Sequence, residues 1–231
     1  MEDKSLDLHA LQEIWQTRSK DLWRQVPDTY RILGKRFLGM AENLLAYDVL
    51  SEGLETWPRD LPLQQLLGLG LARGGSPLKA NQAAQNLIND GHDDSETLSL
   101  LGRTHKDLWQ KESNGEAQEE QLRLAYEAYE TAYNKAGDPY PGINAATLAL
   151  FRGDLENAHR IGEHVYQVSL EDAEGSEPNY WTEATLGEVS LILGKLEEAR
   201  AYYSSAGRLG KGDFANLNST RQQARLLLRY L

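Results

Sequence analysis

The sequence has no cysteine and no long apolar run, and each absence excludes a class of protein. None of the 231 residues carries a thiol, so a disulfide, a thiolate metal site and a cysteine nucleophile are all excluded. The longest apolar runs fall far short of the roughly 20 residues that a membrane-spanning helix needs. The acidic amino-terminal segment has no continuous apolar stretch, so we expect no signal peptide. These absences predict a soluble cytoplasmic protein that does not bind a membrane.

Basic residues and β-branched aliphatic residues are also in short supply. The chain has 24 Lys and Arg against 35 Asp and Glu, a net charge of −11. Binding of nucleic acid by the surface as a whole is therefore not expected. Valine and isoleucine are scarce and no stretch alternates apolar with polar residues, which argues against strands. Since 40% of the residues are hydrophobic, a sizeable helical core can form.

A Leu-Gly dipeptide recurs along the chain and defines a repeat. Copies occur at 33–34, 67–68, 101–102 and 186–187, and Ala145-Ala146 is a degenerate fifth copy. The first three copies are 34 residues apart, which is the period of tetratricopeptide helix-turn-helix repeats. We therefore predict an all-α protein, a right-handed α-solenoid of about five tetratricopeptide-like repeats.

The repeat pattern predicts the element boundaries of a single domain over residues 1–231. A leading helix is predicted at 5–24 and a closing helix at 217–231, because the ends of a solenoid would otherwise expose apolar surface. The third repeat contains a polar insertion near 110–121, for which an exposed loop is favoured over an extended first helix. The five repeats are predicted at about 27–58, 61–92, 95–138, 139–172 and 180–212.

Some side-chain placements also follow from helical spacing. Tyr126 and Tyr129, with Tyr133, form an i, i+3, i+7 stripe that we expect to face the core. In the closing helix, Leu227 and Leu228 are expected to point inward with Ala224, and the arginines outward.

Two stretches resemble a narrower family. They are ETLSLLGRTHKDLW at Glu96–Trp109 and YPGINAATL at Tyr140–Leu148. Together they are similar to the TRAF-binding helical domain of mitogen-activated protein kinase kinase kinases of the apoptosis-signal-regulating group, and to related bacterial domains. The resemblance covers about residues 25–210. It implies a regulatory helical domain that binds proteins.

No set of residues in the sequence has the spacing of a catalytic or metal site. None of the five histidines is four residues from another, as a helical zinc motif requires, and no serine lies in a Gly-x-Ser-x-Gly turn. The glycines of GLGLARGG at Gly68–Gly75 suit repeat packing, because a dinucleotide loop needs a preceding strand. We expect no enzyme, no metal and no cofactor.

The first helices of such repeats commonly hold the ligand, and their exposed positions give the candidate site. In the first three repeats these positions are mostly cationic, and in the last two they are mostly aromatic or apolar. The first group comprises Arg31, Lys35, Gln65, Arg73, Arg103, Lys106 and Asp107. The second comprises Tyr140, Ile143, Thr147, Phe151, Trp181 and Glu188.

Two functions are compatible with this half-basic surface. The first is a protein-interaction scaffold that binds an acidic or phosphorylated segment, since guanidinium groups pair with carboxylates and phosphates. The second is a sensor of a small phosphorylated or nucleotide ligand. A long open groove would favour the segment, and a closed pocket around Arg73, Arg103 and Lys106 would favour the small anion. Alternatively, the cations pair with acidic residues on neighbouring helices and bind nothing.

Overall fold

The chain is helical throughout the part that the structure describes. The computed structural model describes residues 6–174 and 176–231, except for the side chains of residues 214 and 215. These residues form thirteen α-helices and no strand, which confirms the all-α prediction. Two compact units divide the chain, Met1–His92 and Asp93–Leu231; we call them the first and the second unit.

The first unit contains two helix pairs preceded by two short helices. Its elements are α1 (Leu8–Thr17), α2 (Lys20–Trp23), α3 (Pro27–Gly39), α4 (Asn43–Thr56), α5 (Leu61–Arg73) and α6 (Pro77–Asn89). The pairs α3–α4 and α5–α6 match the predicted repeats at 27–58 and 61–92. Large side chains from α3, α4 and α5 fill the space between the helices, among them Tyr30, Phe37, Leu50 and Leu63, which are fully buried.

The leading segment is two helices, where one was predicted over 5–24. Residue 5 lies outside the described residues. The helix is interrupted at Arg18, whose backbone is extended with ψ of 143°. The Arg18 guanidinium pairs with Glu52 of α4 and lies over the Trp15 ring, 3.3 Å from its centroid. These contacts hold Arg18 against the first repeat and end α1 there.

The second unit contains three helix pairs and a closing helix. Its elements are α7 (Ser95–Lys111), α8 (Gly115–Ala136), α9 (Pro139–Phe151), α10 (Leu155–Ala173), α11 (Tyr180–Ile192), α12 (Leu196–Leu209) and α13 (Phe214–Leu227). The pairs match the predicted repeats. The stripe of Tyr126, Tyr129 and Tyr133 is buried in the core, as predicted.

The insertion near 110–121 is helical, so the prediction of an exposed loop was wrong. Its residues lengthen both helices of the third repeat, which have 17 and 22 residues. Only three residues separate the two helices. Asn114 caps α8 by accepting from the Ala117 N–H, and the Gln118 amide donates to the Trp109 and Glu112 carbonyl oxygens. These bonds satisfy backbone groups at the turn, so the chain reverses tightly there.

The turns inside four of the five repeats use a left-handed residue. Gly75, Gly153 and Gly194 have φ of 84°, 77° and 72°, a region that glycine adopts without strain. In the α3–α4 turn the left-handed residue is Ala41, with φ of 62°. Among residues 6–174 and 176–231, no helix is both long enough and apolar enough to cross a membrane.

Candidate functional site

The closing helix of the second unit lies against the first helices of its repeats. The Gln223 side chain of α13 accepts a hydrogen bond from Lys106 Nζ of α7 at 2.8 Å and donates one to Glu188 Oε1 of α11 at 2.7 Å. The Thr220 hydroxyl is 2.6 Å from the hydroxyl of Tyr180, also on α11. Thus α13 does more than cap the last repeat, because it covers part of the predicted binding surface.

The predicted orientation of α13 was only partly right. Leu227 is fully buried, as expected, but Leu228 is 61% exposed. Arg221, Arg225 and Arg229 are exposed, as predicted, and Arg225 and Arg229 also line a cleft beside the helix. The prediction failed for Leu228 because α13 ends at Leu227, so Leu228 lies in the turn that follows the helix.

A cleft of about 860 Å³ lies between α13 and the first helices α7, α9 and α11. Half of its lining residues are charged or aromatic, and all of the lining residues belong to the second unit. The charged ones are Arg103, Lys106, Asp107, Glu188, Arg225 and Arg229, and the aromatic ones are Trp109, Tyr129, Tyr140, Trp181 and Tyr230. We call this the α13 cleft.

A chain of hydrogen bonds crosses the wall of the α13 cleft. Lys106 Nζ donates to Asn144 Oδ1 at 3.1 Å as well as to Gln223. Glu188 Oε1 accepts from the Thr147 hydroxyl at 2.7 Å as well as from Gln223. The Gln223 amide therefore faces a cation with its oxygen and a carboxylate with its nitrogen, which fixes its orientation and the position of α13.

Burial shifts the pKa values of the charged groups in this network. It lowers the pKa of Lys106 to about 8, against the opposing effect of nearby Glu188. Burial also raises the pKa of Glu188 above its usual value, although Lys106, Gln223 and Thr147 oppose the shift. The pKa of Asp107 is likewise raised by burial, in spite of Arg103 and Lys106 beside it. Burying this cation and these carboxylates therefore costs desolvation free energy, which their hydrogen bonds offset only in part.

The lowered pKa of Lys106 predicts a rise of stability with pH. In the unfolded chain this lysine keeps its proton up to a pKa of 10.5, so above pH 8 the unfolded state binds more protons than the folded state. Lys106 should therefore contribute an increase of about 1.5 kcal/mol to the free energy of unfolding between pH 8 and about 9.5, seen as the difference between the wild type and Lys106→Met. Urea denaturation across this range measures it. The increase should be absent in Lys106→Met, and an equal increase there would contradict the assignment to Lys106.

Arg103 carries a buried donor that lacks a partner. Its Nε atom makes no hydrogen bond and lies 3.7 Å from Asp107 Oδ2, beyond hydrogen-bond distance. A buried donor of this kind costs free energy unless an acceptor is supplied.

Seven of the thirteen predicted site residues line the α13 cleft: Arg103, Lys106, Asp107, Tyr140, Ile143, Trp181 and Glu188. Thr147 is fully buried and reaches Glu188 from behind. Phe151 is buried beneath the rings of Trp109 and Tyr230, whose centroids are 5.4 and 4.2 Å from its own.

The other predicted residues belong to the first unit. Arg31 is engaged within that unit, because it pairs with Asp28 and with Asp60. Arg73 Nη1 donates to the Leu38 carbonyl at 3.1 Å. Lys35 is exposed and Gln65 is half-buried. The sequence left open whether these cations pair with acidic residues nearby, and the structure shows such pairing for Arg31.

The wall formed by α13 was missing from the sequence prediction. Gln223, Arg225, Arg229 and Tyr230 all line the cleft. The spacing of Arg225 and Arg229, four residues apart, does place them on one helix face. The apolar run Leu226–Leu228 beside them instead favoured a helix that only covers the end of the last repeat.

The comparisons with known proteins agree with this fold. Residues 46–149, a little under half of the chain, match the family model described as Tetratricopeptide Repeats-Sensor. TTC0263, a tetratricopeptide repeat protein of Thermus thermophilus, superposes with a TM-score of 0.68 at 17% identity, over 88% of this chain and 100% of its own. The search of curated proteins found no match.

Two larger assemblies contain similar folds. The Cut9–Hcn1 hetero-tetramer of APC/C gives a TM-score of 0.59 at 15% identity, over 96% of this chain and 44% of that one. The human IFIT1 dimer with PPP-AAAA gives 0.52 at 14% identity, over 88% and 59%. Helical repeats of this class generally mediate protein–protein interaction. This chain therefore has the fold of a tetratricopeptide-like helical repeat.

Proposed function

We propose that the second unit is a non-enzymatic sensor module that binds a small phosphorylated ligand, such as a nucleotide, in the α13 cleft. The observation that carries the proposal is the position of α13 along the first helices. Because α13 lies there, the surface is a cleft of about 860 Å³ and not a long open groove. That volume is within the range of roughly 300 to 1,000 Å³ typical of small-molecule sites.

The charge of the cleft supports an anionic ligand. Four cations line it against two carboxylates, although the chain as a whole carries a net charge of −11. Glu188 already accepts two hydrogen bonds, whereas the Nε of Arg103 has no acceptor. Guanidinium groups bind phosphate oxygens through paired donors, so Arg103 is the residue we expect to hold a phosphate.

The aromatic residues of the cleft suit a flat ring. Trp181 and Tyr140 line it with 52% and 49% of their surfaces exposed, so both rings are accessible to a ligand in the cleft. Stacking of a base on an exposed aromatic ring contributes about 1 to 3 kcal/mol. A ligand that joins a base to phosphates would use both the rings and the cations.

The matched family model supports the same reading. The family is one of tetratricopeptide-repeat sensors, and residues 46–149 of this chain match it. These residues contain the α7 and α9 side of the cleft, formed by Arg103, Lys106, Asp107, Tyr140 and Asn144.

Calorimetric titration tests the proposal with ATP and inorganic pyrophosphate as probes. We expect the wild-type protein to bind ATP, and Arg103→Gln to bind it at least tenfold more weakly, because a lost charge-assisted hydrogen bond costs about 1.5 to 3 kcal/mol. Arg123→Gln is the matched control, since Arg123 pairs with Glu120 and Glu127 on the outside of α8. Absence of binding by both probes, or equal affinity in Arg103→Gln, would refute the proposal.

Binding of an acidic or phosphorylated protein segment remains a prediction for the first unit, where Lys35 is exposed. Arg31 is a poor probe of it, because reversing its charge would place a carboxylate against Asp60, which caps α5. The resemblance to the TRAF-binding domain likewise stays a prediction.

A further inference from the structure

We infer that α13 is a lid that an anionic ligand locks onto the cleft. This lid rests on the proposed function, and it links binding of the ligand in the cleft to a change in the position of α13. Its basis is the weak attachment of α13 together with the arrangement of cations on the two sides of the cleft.

The apolar attachment of α13 is slight. Among the described side chains of this helix, residues 216–227, only Leu227 is buried, and the others are half-buried or exposed. By contrast, α9 buries ten of its thirteen residues. A helix held by so little buried surface opens at a low free-energy cost compared with the core helices.

Cations face one another across the cleft. Arg103 and Lys106 line it from α7, and Arg225 and Arg229 line it on the α13 side. The carboxylates between them are partly committed, since Glu188 accepts from Thr147 and Gln223. The empty cleft therefore holds two more cations than carboxylates, a surplus that an anion would neutralise.

An anion between the walls would hold α7 and α13 together. Phosphate oxygens accept from several donors at once, so one polyphosphate can bind cations of α7 and of α13 together. The amide of Gln223, held between Lys106 and Glu188, would set the position in which α13 closes. Ligand binding and the closing of α13 are then linked, and each favours the other.

Amide hydrogen exchange of the whole protein tests the lid, with ATP and pyrophosphate again as probes. Without ligand, amides of α13 should exchange at least tenfold faster than those of α11. A saturating probe should slow exchange in α13 at least tenfold and leave the first unit unchanged. If a probe binds by calorimetry while exchange in α13 stays the same, the lid is refuted and the proposed function stands. If neither probe binds, both fail.

A variant gives a second arm. Arg103→Gln removes one cation from the α7 wall, so pyrophosphate at the concentration that saturates the wild type should protect α13 less in this variant. The exposed Arg123→Gln should match the wild type. Equal protection of α13 in Arg103→Gln and the wild type would overturn the bridging of the two walls on which the lid depends.

Discussion

Gly102→Ala is expected to lower the free energy of unfolding of the second unit by about 2 kcal/mol. A Cβ atom at this position would lie 2.7 Å from Cδ2 and 2.9 Å from Cγ of Tyr129. The Tyr129 ring is buried and lies edge-on to the Tyr140 ring, 6.2 Å away between centroids, so it cannot withdraw freely. Overpacking of this kind costs about 3 kcal/mol, of which the better helix propensity of alanine returns about 1.

Gly207→Ala is the matched control for this substitution. Gly207 lies in α12, and a Cβ atom there would meet nothing within 4 Å. Alanine should therefore stabilise the protein by up to about 1 kcal/mol through helix propensity alone. Urea denaturation followed by circular dichroism measures both variants. Stability of Gly102→Ala equal to that of Gly207→Ala would show that α7 and α8 do not depend on this close contact.

Leu227→Ala is expected to release α13 from the second unit. The leucine is fully buried and belongs to the same core cluster as Trp109, Phe151 and Leu186. Truncating a buried leucine to alanine costs about 2 to 5 kcal/mol, which is large beside the few other apolar contacts of this helix. Hydrogen exchange should rise throughout α13 and remain unchanged in α9 and α11.

The neighbouring leucine provides the control for that loss. Leu228 directly follows and is 61% exposed, so Leu228→Ala should change exchange in α13 by little. Because α13 forms one wall of the cleft, Leu227→Ala should also abolish ATP binding, whereas Leu228→Ala should retain it. Protection of α13 in Leu227→Ala equal to that in the wild type would mean that polar contacts alone hold the helix.

The repeat boundaries were predictable because the Leu-Gly spacing reports a physical contact. Gly102 lies against Tyr129, and Gly34 and Gly187 make the corresponding close approaches to Leu50 and Tyr203. Small residues opposite large ones recur once per helix pair, so their period gives the pairs. The insertion near 110–121 was misjudged since its polarity suggested a loop. Its glutamate, glutamine and alanine residues are good helix formers, and only Asn114-Gly115 interrupts them.

Only one side of the cleft could be predicted from the sequence. The α7, α9 and α11 side follows from repeat positions, which is why Arg103, Lys106 and Glu188 were identified. The α13 side depends on contacts between residues far apart in sequence, such as Gln223 with Lys106. No local pattern encodes where a closing helix comes to rest, because that depends on polar groups of other repeats.

The five tryptophans offer the most direct test of where the ligand binds. Trp109 and Trp181 line the α13 cleft, and the other three, Trp15, Trp23 and Trp57, belong to the first unit. A titration of ¹⁵N-labelled protein with ATP would follow all five indole N–H resonances at once, assigned through single Trp→Phe variants. We expect saturable shifts of the Trp109 and Trp181 resonances only. Shifts confined to the tryptophans of the first unit, or no shift at all, would contradict binding of the ligand in the α13 cleft.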